Sequence, residues 1–237
     1  MKKLIEKELF DPSILGIFIN PFYIARKGLL NNIRSLGNNI SGKTLDVGCG
    51  TKPYEKYFNA TEYIGLEIET TINRENKKAD FFYDGNKFPF QNNEFNSIVI
   101  NQVFEHVFNP SNFLSEVNRV LKLNGILLLT VPFVWDEHEQ PYDFARYSSF
   151  GINFYLEQYG FKIEKNIKSI NDVRVFAQLI NGYLYKKTLK IKFLRQITTI
   201  FLMSIITIVG NLLAMVLPEN DDLYLDNIVL ARKIKNV

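Results

Sequence analysis

From residue 43 onward, short runs of apolar and β-branched residues alternate with longer segments in which apolar side chains recur every three or four positions. The short runs are typical of buried strands, and the longer segments are typical of amphipathic helices. Their alternation predicts an α/β fold with a mostly parallel sheet and helices on both faces. We expect seven strands, at 43–47, 62–68, 79–83, 97–101, 126–131, 161–170 and 224–232.

Capping and breaker residues predict where the helices of this core begin and end. Asn124-Gly125 is a typical helix stop. The helix before it is therefore predicted to start at Asn109-Pro110-Ser111, with Ser111 as its N-cap, and to run through Leu123. Another helix is predicted at 148–159, because Gly160 follows it.

An apolar insertion interrupts the strand pattern between the sixth and seventh strands. The chain divides into an N-terminal helical segment, a core, a hydrophobic helical insertion and a final strand, at residues 1–40, 41–170, 171–222 and 223–237. Residues 197–217 contain no charged side chain and, as a helix, would be long enough to cross a bilayer. Since the sixth and seventh strands should share one sheet, we expect the insertion to return to the side on which it started.

Basic residues cluster just before this uncharged stretch. They are Lys186, Lys187, Lys190, Lys192 and Arg195. Such clusters attract anionic lipid headgroups. We therefore expect peripheral membrane contact through residues 173–217, with a homodimer interface or an additional core layer as the alternatives.

Composition limits the partners of the chain. Its 237 residues include 28 Lys and Arg against 25 Asp and Glu, a surplus too small to indicate a nucleic-acid partner. Cys49 is the one cysteine, so no disulfide forms within the chain, and with two histidines no metal site is predicted. Glu6, Lys7 and Glu8 stand where a signal peptide is apolar. We expect a cytoplasmic protein, in solution or at the inner face of the membrane.

A glycine turn follows the first strand, in the sequence Leu45-Asp46-Val47-Gly48-Cys49-Gly50-Thr51. Glycines here let the main chain approach a ligand that a Cβ atom would repel. Glu67 ends the second strand about 20 residues after Asp46, the spacing expected of a carboxylate that binds ribose hydroxyls. A dinucleotide motif needs a third glycine where this chain has Pro53, so the turn favours a cofactor without a pyrophosphate. A glycine turn in a domain that binds no nucleotide is the alternative.

Four later segments complete a family pattern. They are Asp84–Phe90, Phe95–Val99, Phe104–Val107 and Leu121–Leu127. With the glycine turn, they resemble class I S-adenosylmethionine (SAM)-dependent methyltransferases, in particular the methyltransferase type 11 family typified by quinone-biosynthesis enzymes. The resemblance covers residues 43–170 and 224–232. It implies a Rossmann-like sheet whose last strand is antiparallel, and SAM as the cofactor.

The resemblance also implies which residues bind the cofactor. They are Asp46, Gly48, Cys49, Gly50, Glu67, Ile68, Asp84, Gly85, Asn101 and Gln102. Asp46 would anchor the methionine end, directly or through water, and Glu67 would bind the ribose. Asp84 and Gly85 would meet the adenine. Asn101 and Gln102 are expected in the pocket because ligands bind beyond the carboxyl ends of parallel strands.

The segment after the fifth strand is dense in acidic, basic and aromatic residues, where an acceptor would bind. It resembles the His-Glu-x-Pro-x-Asp-Phe-x-Arg-Tyr pattern of a bacterial branch found with surface-polysaccharide pathways. His138 or Glu139 is the expected base or acceptor anchor, and Arg146 would orient an acidic group or Asp143. His106, after the fourth strand, is a further catalytic candidate, with helix packing or capping as its alternative role.

We therefore expect a SAM-dependent methyltransferase acting on a small or lipid-linked acceptor, such as a hydroxyl of a sugar or of a surface-polysaccharide intermediate. A nicotinamide-dependent oxidoreductase is the first alternative, and Pro53 disfavours it. A non-catalytic scaffold, membrane-associated or dimeric, is the second. Amino methylation of nucleic acid is disfavoured because Asn101 is followed by Gln102 rather than by an Asn-Pro-Pro-Tyr pattern.

Overall fold

The computed structural model describes residues 2–237 and contains a seven-stranded sheet. Its strands are β1 (Ser41–Val47), β2 (Asn59–Ile68), β3 (Phe81–Tyr83), β4 (Phe95–Asn101), β5 (Leu121–Pro132), β6 (Phe161–Ser169) and β7 (Asp226–Lys233). The order is β3-β2-β1-β4-β5-β7-β6, and β1 to β5 pair in parallel. With the last strands antiparallel, the predicted Rossmann-like fold class is confirmed.

Helices precede, link and follow these strands. They are α1 (Lys2–Phe10), α2 (Gly16–Ile19), α3 (Tyr23–Leu36), α4 (Thr71–Asn76), α5 (Pro110–Val120), α6 (Ser149–Gln158), α7 (Arg174–Thr188), α8 (Lys192–Ile197) and α9 (Ser204–Leu213). A π-helical segment, Thr198–Met203, joins α8 to α9. The predicted helical insertion is thereby confirmed, as a 22-residue helix at Lys192–Leu213 between β6 and β7.

The predicted start of α5 at Asn109-Pro110-Ser111 is confirmed, but the predicted N-cap and the predicted last residue were wrong. Asn109 rather than Ser111 is the N-cap, because its side chain accepts a hydrogen bond from the N–H of Asn112 at 3.2 Å. Pro110 then occupies the first turn, where the missing N–H costs nothing. The helix ends at Val120 rather than Leu123, because the buried Leu121 already pairs with β4.

Asn124-Gly125 is consequently not a helix stop but part of an irregularity inside β5. Leu121 pairs with Phe95 of β4, whereas Ser97 pairs with Ile126, so extra residues bulge from β5 between these two pairs. Asn124 takes a positive φ of 64° there. The sequence signal was a genuine turn signal, and the strand absorbs it as a bulge.

The contacts divide the chain into two compact units. One contains residues 1–32, 134–136 and 168–226, and the other contains residues 33–133, 137–167 and 227–237. In the first unit, the buried side chain of Gln178 in α7 joins α7 to the N-terminal helices. It accepts a hydrogen bond from the N–H of Ala25 and donates one to the carbonyl of Pro21, both at 3.1 Å.

The second unit holds most of the sheet and the carboxyl ends of β1, β2, β4 and β5. β1 and β4 lie in the middle, with Leu45, Val47, Ile98 and Ile100 fully buried. Because parallel strands all end at the same edge, the loops after these strands meet there.

Candidate active site

The loop after β1 turns closely past the ends of two neighbouring strands. Gly48 has a φ of 70°, and its N–H donates to the carbonyl of Leu66 in β2 at 2.8 Å. A Cβ atom on Gly48 would lie 2.3 Å from Cγ2 of Val103, in the segment after β4. Glycine is therefore required at position 48 by conformation and by space.

Glu67 holds the next part of this loop. The N–H of Gly50 donates to Oε1 of Glu67 at 2.7 Å, and the Glu67 side chain is buried. Burial raises the pKa of Glu67, although the hydrogen bond from Gly50 favours the ionised form. Around Gly50, which has a φ of 55°, a Cβ atom would meet nothing within 4 Å. Position 50 therefore borders open space that a ligand could fill.

Asp46 is buried at the end of β1, and its nearest polar partner lies on β2. The Tyr63 hydroxyl donates to Oδ2 of Asp46 at 2.8 Å. Burial is the main cause that raises the pKa of Asp46 to about 7, and the Tyr63 hydrogen bond opposes this shift. Sequence reasoning missed Tyr63. No local sequence signal indicates Tyr63, because the register between β1 and β2 is what places it beside Thr44, on the same face as Asp46.

The Cys49 side chain points away from the open side of the loop. Its Sγ packs on Gly65 of β2, where a Cβ atom would lie only 2.6 Å from the sulfur. Burial raises the pKa of the Cys49 thiol to about 12, so the thiol stays neutral. Of the predicted cofactor residues, Cys49 thus offers its backbone rather than its side chain.

Three other predicted residues lie together at the end of β2 and after β3. Ile68 is half exposed, and a Cβ atom on Gly85 would lie 3.6 Å from its Cδ1. Asp84 accepts hydrogen bonds from the N–H groups of Asn86 at 2.9 Å and Lys87 at 3.4 Å. The Asn86 N–H is the largest cause that lowers the pKa of Asp84. Asp84 thus shapes the turn that presents Gly85 and Ile68.

Asn101 and Gln102 end β4 beside Thr130 of β5. Gln102 has a φ of 54°, and its N–H donates to the carbonyl of Thr130 at 3.0 Å. Its side-chain amide donates to the Thr130 hydroxyl at 3.3 Å, and this hydroxyl lies 3.5 Å from Oδ1 of Asn101. Thr130, which sequence reasoning missed, therefore orients both predicted pocket residues.

The two histidines of the chain meet at this edge. The ring centroids of His106 and His138 are 4.8 Å apart, and the rings are nearly perpendicular. Nε2 of His106 lies 3.8 Å and Nε2 of His138 lies 3.9 Å from Oε1 of Glu105, whose side chain is fully buried. Oε2 of the exposed Glu139 lies 4.0 Å from Nε2 of His106. The structure therefore brings together three predicted catalytic residues and adds Glu105 to them.

Arg146, the fourth predicted catalytic residue, acts on this cluster through Asp143. Its guanidinium donates to both carboxylate oxygens of Asp143, at 2.6 and 2.7 Å. This pairing holds the pKa of Asp143 at about 2. Oδ2 of Asp143 lies 3.3 Å from Nδ1 of His138 and accepts a hydrogen bond from the His138 N–H at 2.9 Å.

The histidine cluster adjoins the glycine loop. Val103, which packs on Gly48, directly precedes the 3₁₀ turn Phe104–His106. The Glu139 carboxylate also contributes to the raised pKa of Glu67, after the larger effect of burial. A molecule at Gly50 and a molecule at the histidines would thus be neighbours.

Comparison with known families decides the class of this arrangement. Residues 45–129 match the family described as a methyltransferase domain. This match, together with the Rossmann-like sheet, supports a class I SAM-dependent methyltransferase. The resemblance predicted from the sequence is confirmed. The methyltransferase domain contains the glycine loop, Glu67, Glu105 and His106, whereas His138 and Arg146 follow it.

A curated relative from Methanocaldococcus jannaschii is an uncharacterised protein. It is 30% identical over 105 residues, which make up 43% of this chain and 50% of the relative. The chain thus matches half the length of that relative. The similarity to an uncharacterised protein assigns no substrate.

Solved structures share the fold at low sequence identity. Phosphoethanolamine N-methyltransferase 2 of Haemonchus contortus has a TM-score of 0.55 at 17% identity, over 93% of this chain and 56% of that one. A SAM-dependent methyltransferase from Mesorhizobium loti has a TM-score of 0.52 at 11% identity, over 86% and 97%. The [4+2]-cyclase SpnF has a TM-score of 0.55 at 18% identity, over 88% and 81%. These similarities establish the fold alone.

Proposed function

We propose that the protein transfers a methyl group from SAM to a hydroxyl of a small or lipid-linked acceptor. The observation that carries the proposal is the hydrogen bond from the Gly50 N–H to the Glu67 carboxylate, beside open space at Gly50. This hydrogen bond holds a glycine loop and a buried carboxylate together, within a segment that matches a methyltransferase domain. Sugars and surface-polysaccharide intermediates are the acceptors that the segment 138–147 favours.

The residues around the loop fit SAM. Gly48 and Gly50 let the main chain lie close to a ligand, and Glu67 has a second carboxylate oxygen for ribose hydroxyls. Ile68 and Gly85 offer an apolar surface for the adenine. When bound, SAM supplies an electrophilic methyl group on a sulfonium. The Haemonchus contortus enzyme, of similar fold, was solved in complex with SAM, which supports this choice of cofactor.

The histidine cluster suits the acceptor side. Alignment of the acceptor oxygen is the main requirement of such a displacement, and removal of its proton is the second. His138 is held by Asp143, which Arg146 holds in turn, so its ring has a fixed orientation. His138, with His106 and Glu139 close by, would anchor the acceptor and accept its proton.

The proposal is tested by binding and by transfer. Calorimetry with SAM and with NAD should show binding of SAM alone. Incubation of a cell extract with SAM that carries a labelled methyl group should then yield a labelled product. A Gly48→Arg variant should abolish both signals, because its side chain would enter the space beside Val103. Binding of NAD instead of SAM, or unchanged labelling by the variant, would contradict the proposal.

A lipid-linked acceptor agrees with the unusual faces of helix Lys192–Leu213. Its buried face is mostly small or polar: Thr207 accepts a hydrogen bond from Asn181 of α7 at 2.9 Å, and Gly210 packs on Ala177. Its outer face is apolar, with Phe201 exposed by 66% and Leu212 by 59%. A helix at the surface of a water-soluble protein buries its apolar face and exposes polar residues. Helices in lipid instead pack on each other through small residues and expose apolar ones.

The occupant that we propose for this outer face is an anionic membrane surface. Lys187, Lys190 and Lys192 are exposed beside its amino end, and each lysine near anionic lipid contributes about 1 kcal/mol. Further apolar side chains are exposed in the same unit, including Phe193, Ile205, Met215 and Val216. Because the helix lies between strands of one sheet, it would lie in the interface rather than cross the bilayer once.

A further inference from the structure

We propose that Glu105, His106 and His138 bind a divalent transition-metal ion. The side-chain ligand atoms of these three residues all lie within 4.8 Å of one another. The sequence predicted no metal site, because two histidines and one cysteine are too few for a zinc site built on cysteine. A site made of two histidines and one carboxylate needs no cysteine.

The backbone and Asp143 fix the histidines in the form that a metal requires. Nδ1 of His106 lies 2.7 Å from the carbonyl oxygen of Tyr142, which can only accept, so Nδ1 carries the proton. Nδ1 of His138 lies 3.3 Å from the Asp143 carboxylate, held in turn by Arg146. In each neutral imidazole the lone pair is therefore on Nε2. Metal-bound histidines are typically held in this way by a carbonyl or carboxylate.

Both Nε2 atoms face the same carboxylate oxygen. Oε1 of Glu105 lies 3.8 Å from Nε2 of His106 and 3.9 Å from Nε2 of His138. Three lone-pair atoms therefore converge, and one of them belongs to a fully buried carboxylate. A metal ion between the three atoms could be coordinated by all of them at once.

A metal ion requires the three ligand atoms to move closer together. Zinc bonds of about 2.0–2.2 Å place tetrahedral ligands roughly 3.4 Å apart. The two distances from Oε1 of Glu105 to the histidine Nε2 atoms, 3.8 and 3.9 Å, therefore need to shorten by about half an ångström, and the separation of the two histidine ligand atoms, within 4.8 Å, by at most about 1.4 Å. The two histidine side chains are 15% and 28% exposed, which leaves access from solvent. Three protein ligands leave a coordination position open, as in catalytic sites.

The role of the metal rests on the proposed function, whereas its binding does not. An acceptor hydroxyl at the open position would lose its proton more readily, because a bound cation stabilises the alkoxide. With a metal bound, Glu139 would be the nearby base in place of His138, whose Nε2 lone pair would bind the ion. Metal binding can be measured without SAM and without an acceptor, so failure of methyl transfer and failure of this inference are separate results.

The experiment uses full-length protein without a histidine tag, treated with a chelator and then titrated with Co²⁺ and with Zn²⁺. The chain has only two histidines, so imidazole NMR signals of histidine-labelled protein report on this cluster alone. We expect one equivalent to bind with micromolar or tighter affinity. Visible Co²⁺ absorption should lack a thiolate band, since the one cysteine is buried on Gly65. Unchanged histidine signals after addition of Zn²⁺ would overturn the inference, whatever the variants do.

Variants assign the ligands. His106→Gln, His138→Gln and Glu105→Gln should each weaken binding by at least 100-fold, with Glu137→Gln as the matched acidic control that leaves it unchanged. Asp143→Asn should weaken it by about 10- to 100-fold, because it only positions His138. Thermal unfolding identifies any variant that does not fold. If a variant does not fold, the NMR titration of the natural protein with Zn²⁺ decides whether the cluster binds a metal. If both histidine variants bind the metal as tightly as the natural protein, the ion is adventitious and the assignment is overturned.

Discussion

The N–H of Gly50 donates a 2.7 Å hydrogen bond to Oε1 of the buried Glu67 carboxylate. This contact ties the loop after β1 to the end of β2, and it leaves the second oxygen of Glu67 for a ligand. Glu67→Gln removes the charge but keeps a side chain of equal length. We expect SAM affinity to fall roughly 10- to 100-fold, the value of a charged hydrogen bond. Calorimetry measures the affinity, and an unchanged value would remove Glu67 from the cofactor site.

Two glycine substitutions separate folding from binding. Gly48→Ala should destabilise the protein by about 2–4 kcal/mol, because the new methyl group would press on Val103 at a positive φ. Gly50→Ala should cost only about 1 kcal/mol, since its Cβ would enter open space. Yet Gly50→Ala should still weaken SAM binding strongly, if the ligand fills that space. Full SAM affinity in a stable Gly50→Ala protein would contradict the proposed pocket.

Asp46→Asn should change how stability depends on pH. The folded pKa of Asp46, about 7, lies above its ordinary value of 3.8, so the folded state binds the proton more tightly. This contribution to stability is complete below pH 3.8 and is lost as pH rises through about 7. The variant should therefore match the natural protein at pH 4 and exceed it by up to about 4 kcal/mol at pH 8. Urea unfolding measures the difference, and a difference independent of pH would contradict the burial argument.

Arg146→Met should destabilise the protein through Asp143. The Asp143 side chain is only 3% exposed, and the substitution would remove both hydrogen bonds from Arg146. Breaking such a pair costs about 3–5 kcal/mol when one charge stays buried. The double variant Asp143→Asn with Arg146→Met should recover part of this loss. Urea unfolding of the natural protein, the two single variants and the double variant gives the coupling free energy between Asp143 and Arg146. If the effects of the two substitutions on the free energy of unfolding are additive, the two residues act independently.

Membrane binding should follow the outer face of helix Lys192–Leu213. In flotation with anionic liposomes at low salt, we expect the natural protein to float. Replacement of Lys187, Lys190 and Lys192 by Gln should weaken binding by roughly two orders of magnitude, at about 1 kcal/mol per residue. Phe201→Ser should weaken it as well, whereas Phe150→Ser, which changes an exposed aromatic residue of the other unit, should not.

The oligomeric state decides between the two occupants of that face. The membrane proposal would be overturned in favour of the dimer by two results together. The natural protein would stay in the bottom fraction of the flotation gradient, and it would form dimers that the Phe201→Ser substitution dissociates. Flotation of a monomer would support the membrane proposal. Neutralisation of all five basic residues, including Lys186 and Arg195, is the stronger form of the same test.

The sequence by itself determined the seven strands, their mostly parallel sheet and the glycine loop. These features depend on local signals: apolar runs, a glycine turn at Gly48 and Gly50, and an acid at the end of the next strand. Even the error at α5 was local, because Asn124-Gly125 is a turn signal that β5 absorbs as a bulge. The predicted cofactor residues lie at or just after the carboxyl ends of parallel strands, and these ends meet at one edge of the sheet.

Tertiary structure alone decided which side chains converge. His106 and His138 are separated in sequence by α5, β5 and the start of the loop after β5, and only the folded chain places both beside the buried Glu105. The partner of Asp46, Tyr63, likewise depends on the register between β1 and β2. The faces of helix Lys192–Leu213 are a third case, because composition shows that the helix is apolar but not which side is covered. Contacts between residues distant in sequence depend on packing, and local patterns do not encode them.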